Sequence, residues 1–427
     1  MNARPSAASS HAAPTLSALA FFFVMTAYYI IRPVRDQLSG AVGSQSLPLF
    51  YLAVFVVMLA MTPLFGALVA RFRRKQLLAW SYCFFILCLL AFVPPFMVQD
   101  QIGARTLGVV FYVWVSIFNL FVVSLFWSFM ADIFTGVRAR SVFPLIALGG
   151  MAGAIFGPLV TKLLVQRIGV APLLIVSAVT LALSLGVLLF LSAEQDRADS
   201  RQGEPIGGSL WAGIKELATR PFLRYMALLM LLGDGVGTLA YALLADYSKQ
   251  HLTDRIARTA FYNDLDLYAN LLGALLQLTV TRWLMMRRGA VSALIVTAIV
   301  NLLLLTAVAL WGPVGVPELT FGMPLLAILM IGSRGFTYGM TKPASDALYT
   351  RVPRETRYKG KNFIETAVWR LGDFVVTSGV SLLGSLGVGV ATMASIGVGV
   401  SALATWISRL VGRTPEVAPE AAERRAA

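Results

Sequence analysis

The residues best equipped for chemistry in this chain stand where charge is costly. Residues 28–38 read YYIIRPVRDQL. The apolar run before the charges, 16–31, covers only about 24 Å as a helix at ~1.5 Å per residue, and a bilayer core is about 30 Å thick. A helix that spans it must carry Arg32, and with it Arg35 and Asp36, into or close to the lipid. A basic side chain near the bilayer centre costs at least about 2.5 kcal/mol, so such charges persist only where they pair or meet water. Arg32 and Asp36, at i and i+4, can pair, which leaves Arg35 as a surplus cation. The alternative is a snorkelling helix edge with a structural ion pair. Three further stripes repeat the pattern: Ser124, Ser128 and Asp132; Asp234, Thr238 and Tyr241; and Arg334, Tyr338, Lys342, Ser345, Asp346 and Tyr349. Spacings of three and four share one helical face. With Tyr28, Arg32 and Asp36 they predict four helices lining one wet cavity.

Asp234 and Arg334 fall near the middle of their runs, close to the bilayer midplane where transporter sites lie. Arg32, Arg35 and Arg334 against Asp36 and Asp234 leave one positive charge in excess. A guanidinium presents a planar fork suited to carboxylate or phosphate. The reading is an anionic substrate held by Arg35 and Arg334, with Tyr28, Arg32, Asp36, Tyr338 and Lys342 beside it. Asp234 is a counter-ion or a proton carrier, or else a structural partner of Arg334.

These residues need elements that cross a membrane, and the whole chain supplies them. Of 427 residues 58% are apolar and 13% charged, where a soluble domain carries about 25% charged residues. Twelve apolar runs predict an all-α polytopic membrane protein, with helices at 16–40, 47–70, 76–98, 106–131, 139–165, 170–192, 221–247, 261–286, 290–311, 320–348, 361–386 and 388–410. No cleaved leader is read in the polar N-terminus. The formal charge of +14 reflects Lys and Arg gathered in alternate loops and does not indicate nucleic acid. That bias predicts both termini in the cytoplasm and residence in a bacterial inner membrane. Cys83 and Cys88 share one helix, and His11 and His251 lie in a tail and a loop. This pattern predicts no disulfide, metal or cofactor, and the absence of a phosphate loop argues against ATP hydrolysis by that device. An enzyme at the bilayer surface would need a nucleophile or acid–base group that the histidines do not supply. A sensor or scaffold would not need polar stripes in both halves.

The longest polar connection, 193–220, separates an N-terminal six-helix bundle (1–192) from a C-terminal one (221–410), and residues 411–427 are expected to be a disordered cytoplasmic tail. The halves echo each other: FGALVARFRRK against TVTRWLMMRRG, and FMADIFTGVRAR against PASDALYTRVPRETR. Parallel six-helix repeats are a transporter plan. At this point the chain resembles the major facilitator superfamily, with helices 1, 4, 7 and 10 around the cavity. GALVARFRRK (66–75) is similar to that family's loop motif through Gly66, Arg71, Arg74 and Lys75; Ala70 replaces its acid and Arg73 its second glycine. GGMAGAIFGP (149–158) partly resembles an antiporter motif of the fifth helix, or else packs helices closely through Gly149, Gly153 and Gly157.

Two longer stretches resemble the ATP/ADP translocases of plastids and intracellular bacteria. In the first, Tyr29, Ile31, Arg32, Asp36 and Leu38 fit and Arg35 stands where that family has lysine. In RYKGKNFIETAVWRLGD (357–373), Tyr358, Lys359, Lys361, Ile364, Arg370 and Gly372 carry the likeness. The resemblance implies exchange of ATP, ADP, phosphate or a related anion, with Arg35 taking the phosphate-binding role. Arg71, Arg74, Lys75, Asp132, Asp346, Lys359, Lys361, Glu365, Arg370 and Asp373 are read as a gating or charge network. The functional expectation is a secondary transporter of an organic anion working by alternating access. The competing reading is a proton-coupled exporter of amphiphilic or cationic compounds dependent on Asp234.

Overall fold

The computed structural model describes residues 7–72, 74–134, 136–195, 217, 219–316, 320, 322–352, 360–361 and 364–417, with side chains described except at 7–11, 70, 74, 136–141, 193–195 and 366. Most of the predicted linker, Lys359, and the tail beyond 417 lie outside the described residues, as does the side chain of Arg74.

All twelve predicted helices form. They are α1 (Ala7–Val42), α2 (Leu47–Arg71), α3 (Arg74–Met97), α4 (Ala104–Ile133), α5 (Gly136–Ile168), α6 (Ala171–Gln195) and α7 (Pro221–His251). Then come α8 (Arg255–Leu276, continuing to Arg282–Arg288), α9 (Ala290–Trp311), α10 (Leu325–Phe336, continuing to Lys342–Tyr349), α11 (a turn at Ile364–Val368, continuing to Trp369–Ser385) and α12 (Val390–Val411). No strand occurs among the described residues. Nine described helices are long and apolar enough to cross a membrane. The other three, α8, α10 and α11, each carry charges and a π turn, at Gln277–Thr281, Thr337–Thr341 and Ile364–Val368. α1 begins nine residues before its apolar run.

Packing divides the chain into two units. The first comprises Met1–Leu38, Ala60–Ile206 and Asp254–Leu267; the second comprises Ser39–Leu59, Gly207–Thr253 and Tyr268–Ala427. Each therefore includes a segment from the other half of the sequence: the start of α2 in the second unit, the start of α8 in the first.

In the first unit α1 is the central strut. Phe21 stacks on Phe126 of α4 with ring centroids 4.7 Å apart. Ser177 and Ser184 of α6 donate to the carbonyls of Ala27 and Ala20, each at 2.9 Å. On α5, Gly149, Gly153 and Gly157 lie against the carbonyls of Ala18, Phe22 and Thr26, where an added Cβ would stand 2.2, 2.2 and 2.8 Å away. Two four-residue ladders thus match rung for rung. This is the close-packing reading of the glycine stretch.

In the second unit α9 packs along α12, and α7 lies against α11 and α12. The π turns of α8 and α10 meet: Thr281 donates to the Gly339 carbonyl at 2.7 Å, and a Cβ on Gly339 would come within 2.7 Å of the Gly273 carbonyl. Large apolar side chains face outward, among them Leu163, Leu278, Leu310 and Leu386. In a lipid solvent these are ordinary surface residues.

Candidate functional site

Among the described residues the fully buried charged side chains of the first unit are Arg32, Arg35, Asp36 and Asp266, with exposures of 6, 9, 1 and 1%. Arg35 and Asp36 are chain neighbours, and both Nε (2.8 Å) and Nη2 (2.7 Å) of Arg35 reach Asp36 Oδ1. The Arg35 guanidinium also lies over the Tyr112 ring of α4, 4.4 Å from its centroid. Arg32 is 3.5 Å from Asp266 on α8 and 5.5 Å from the centroid of the Tyr29 ring. Pro33 between them has no N–H for the Tyr29 carbonyl. One turn on, the buried amides of Gln37 and Gln99 hydrogen-bond at 3.0 Å.

This geometry adds two contacts to those expected from the helix 1 stripe. Asp36 takes its short contacts from the adjacent Arg35, and Arg32 faces a carboxylate that the helix 1 stripe does not contain. With Asp266 counted, two guanidiniums meet two carboxylates, and the expected positive excess is absent from the buried charge of this unit. The charge costs of burial demand such balance. A signal for Asp266 existed: Asn263, Asp266 and Asn270, at i, i+3 and i+7, put a polar face on α8. Lys162 and Asp264 pair nearby at 3.0 Å, half exposed. Tyr28 is half-buried, its ring nearly parallel to Phe118 at 6.5 Å. Asp132 is half-buried, as is Lys75, while Arg71 is exposed with its guanidinium 5.9 Å from the Phe72 ring centroid.

In the second unit the α7 face does gather polar groups. Thr238 donates to Asp373 Oδ1 at 2.6 Å, and Arg370 lies 3.8 Å from the other carboxyl oxygen. Asp234 sits beside Asp373 and Trp369 on α11. Tyr241 hydrogen-bonds Ser39, and the Arg334 guanidinium lies 5.7 Å from the Tyr241 ring centroid. Asp373, read from the sequence as part of a gating or charge network, is 5% exposed and takes contacts from both Arg370 and Thr238.

The α10 stripe does not hold together as one face. Tyr338 lies inside the π turn against Gly273 and is 37% exposed. Lys342 belongs with a half-exposed ladder: Lys342 to Glu365 at 3.5 Å, Lys361 to Glu365 at 3.8 Å and Lys361 to Asp346 at 2.7 Å. A π turn adds a residue to one turn of helix, so side chains beyond it are rotated off the i, i+4 register that the sequence implies. Such exposed pairs contribute about 0–1 kcal/mol each.

Chemically, the first unit offers guanidiniums that can trade a carboxylate partner for a ligand anion. The second offers a carboxyl pair with hydroxyl and indole donors.

No curated protein matches the chain by sequence. Solved structures do match by fold. A point mutant of the nucleoside transporter NupG superposes with a TM-score of 0.64 at 14% identity, covering 93% of this chain and 99% of that one. An inward-facing bacterial homologue of the iron transporter ferroportin gives 0.65 at 14%, covering 94% and 98%. A POT family transporter in complex with a thioalcohol-conjugated peptide gives 0.64 at 11%, covering 93% and 95%. The family model described as Major Facilitator Superfamily matches residues 16–416, nearly the whole chain, and with this twelve-helix fold the protein belongs to that superfamily of membrane transporters.

Proposed function

We propose that the protein is a secondary transporter working by alternating access, which exchanges an organic anion bearing a phosphate-like or carboxylate head. The observation that carries this reading is the pair Arg32 and Arg35, buried on one helix turn, each with a carboxylate and an aromatic ring in reach. Buried guanidiniums held neutral by carboxylates form a rest state that a ligand anion can enter by substitution, and the ring of Tyr112 supports the cation when its partner changes. The likeness of 28–38 and 357–373 to ATP/ADP translocases supports a nucleotide-like cargo. The solved neighbours are named for nucleosides, iron and a peptide, so the charge of the cargo is argued from this chain's own residues. In this reading 1–192 and 221–410 are the two moving repeats, both termini are cytoplasmic in an inner membrane, and the ladder of Lys342, Asp346, Lys361 and Glu365, with Arg71, Arg74, Lys75 and Lys359, serves the gate.

A second reading, proton-coupled export of amphiphilic or cationic compounds, is favoured by Asp234 standing beside Asp373, since two neighbouring carboxyls suit a proton or a cation better than an anion. One experiment separates them. Purified protein in liposomes loaded with ATP, ADP or phosphate is assayed for labelled ATP uptake. Uptake that requires internal nucleotide or phosphate establishes exchange. No uptake by correctly inserted protein, together with uptake of a lipophilic cation driven by a proton gradient, would sink the anion reading.

A further inference from the structure

We propose that the C-terminal end of α8, with the adjoining end of α12, is a docking site for the headgroup of an acidic phospholipid. The site lies wholly within the second unit and is independent of the cargo. It uses TVTRWLMMRRG, residues 279–289, a stretch that the transport reading leaves unassigned. Arg282, Arg287 and Arg288 are all exposed there. Arg282 is unlike the other two. Its neighbours Trp283 and Met286, at i+1 and i+4, are 52 and 67% exposed, while Leu284 and Met285 pack inward on the apolar cluster of the unit. Arg282 therefore stands on the outward stripe of the helix. It is six residues short of Arg288, about 9 Å along the axis at ~1.5 Å per residue. A guanidinium so placed lies over apolar surface and reaches for the headgroup layer.

No protein group meets these cations. The sequence has no acid between Asp266 and Glu318, and among the described residues no ion pair reaches Arg282, Arg287 or Arg288. The end of α12 extends the same rim. A Cβ on Gly412 would come within 3.4 Å of Val291, the second residue of α9, so α12 ends beside the turn that follows Arg288. It brings Arg409 and Arg413, both exposed, and Trp406, 56% exposed. No acid lies between Asp373 and Glu416. The basic groups of α10 and α11 are different, since Asp346 and Glu365 match Lys342 and Lys361.

Topology asks only for cations on one side of the membrane, which solvated loops provide. It does not ask for an unpaired arginine on the outward stripe of a helix. A lipid phosphodiester answers that need, because it accepts from a guanidinium fork at the depth where the fork ends. Trp283 and Trp406 suit the headgroup layer, and Leu278 and Leu403, 68 and 41% exposed, offer apolar surface to the acyl chains. The Arg287 guanidinium, 5.5 Å from the centroid of the Trp283 ring, holds the indole beside the charge. A zwitterionic lipid carries its own cation and gains less. Arg282 also follows directly on the π turn at Gln277–Thr281, so a bound headgroup fastens the helix just beyond its widened turn.

The test exposes full-length protein in detergent to an equimolar mixture of phosphatidylglycerol and phosphatidylcholine and counts the retained lipids by native mass spectrometry. Phosphatidylglycerol should be preferred by at least about tenfold, since each arginine near the surface is worth about fivefold. Arg282→Gln/Arg287→Gln/Arg288→Gln should lose the preference. Arg409→Gln/Arg413→Gln, on the other helix, should lower it severalfold and serves if the first variant does not fold. Arg105→Gln/Arg167→Gln/Arg224→Gln removes three exposed arginines elsewhere and should keep it. Equal retention of both lipids by the parent overturns the proposal, as does equal loss in the control variant. Displacement of phosphatidylglycerol by ATP or inorganic phosphate would give these arginines to a soluble anion and also overturn it. None of these outcomes bears on Arg32 or Arg35.

Discussion

At the scale of residues, the decisive fact is that Arg35 and Asp36 occupy adjacent positions and both are buried. Their contact is local to one turn of α1, whereas Arg32 meets a carboxylate more than two hundred positions away in the sequence. Arg35→Ala should abolish transport, with an apparent KM at least about 30-fold higher where activity persists, while membrane insertion is retained. Arg35→Lys should keep part of the activity, because charge remains and the fork is lost. Normal uptake by both variants would remove the anion site. Asp234→Asn tests the other unit: a flattened pH dependence of transport makes Asp234 a proton carrier, and an unchanged profile makes it a structural neighbour of Asp373. The charges of α1 were legible as a buried cluster because lipid makes any charge conspicuous. Their partners were not, since pairing within one helix is only the nearest option, and Asp266 had to be sought on another helix by the same polar-face argument.

At the scale of elements, the glycine ladder on α5 is a packing device. Gly153→Leu should lower thermal stability by about 1–3 kcal/mol or more, because its Cβ would stand 2.2 Å from a backbone carbonyl. Gly66→Ala is the matched control: nothing lies within 4 Å of its Cβ position, so thermal unfolding in detergent should be unchanged or slightly raised. Equal melting temperatures for both variants would contradict the ladder. Helix existence was fully legible from apolar runs, since nothing but a helix satisfies a backbone in lipid on its own. The π turns were not. Those of α8 and α10 lie where Thr281, Gly339 and Gly273 bring two helices into contact, a tertiary event that no local pattern carries. The α10 stripe failed as a single face for that reason.

At the scale of the molecule, the twelve-helix plan was readable from apolar runs and the echo between halves, and the superfamily through the likeness of residues 66–75 to its loop motif. The exchange of segments between the two units was not, because it depends on which helix ends meet. Exchange in place of net flux makes a prediction at this scale: liposomes preloaded with unlabelled substrate should take up label at least about tenfold faster than empty ones, the size of difference that about 1.4 kcal/mol in a barrier produces. Equal rates would indicate a uniporter.

The π turns have one more consequence, best put in the language of elasticity. Among the described residues they occur only in α8, α10 and α11, whereas α1 and α5 are joined by a matched backbone ladder. A widened turn is a compliant joint, and a backbone-to-backbone seam is a stiff one. When the surrounding bilayer thins or is stretched, the deformation should concentrate in the second repeat, with the first acting as the rigid frame. Amide hydrogen exchange in thin and thick bilayers would then change at 277–281, 337–341 and 364–368 while the α1–α5 seam stays protected.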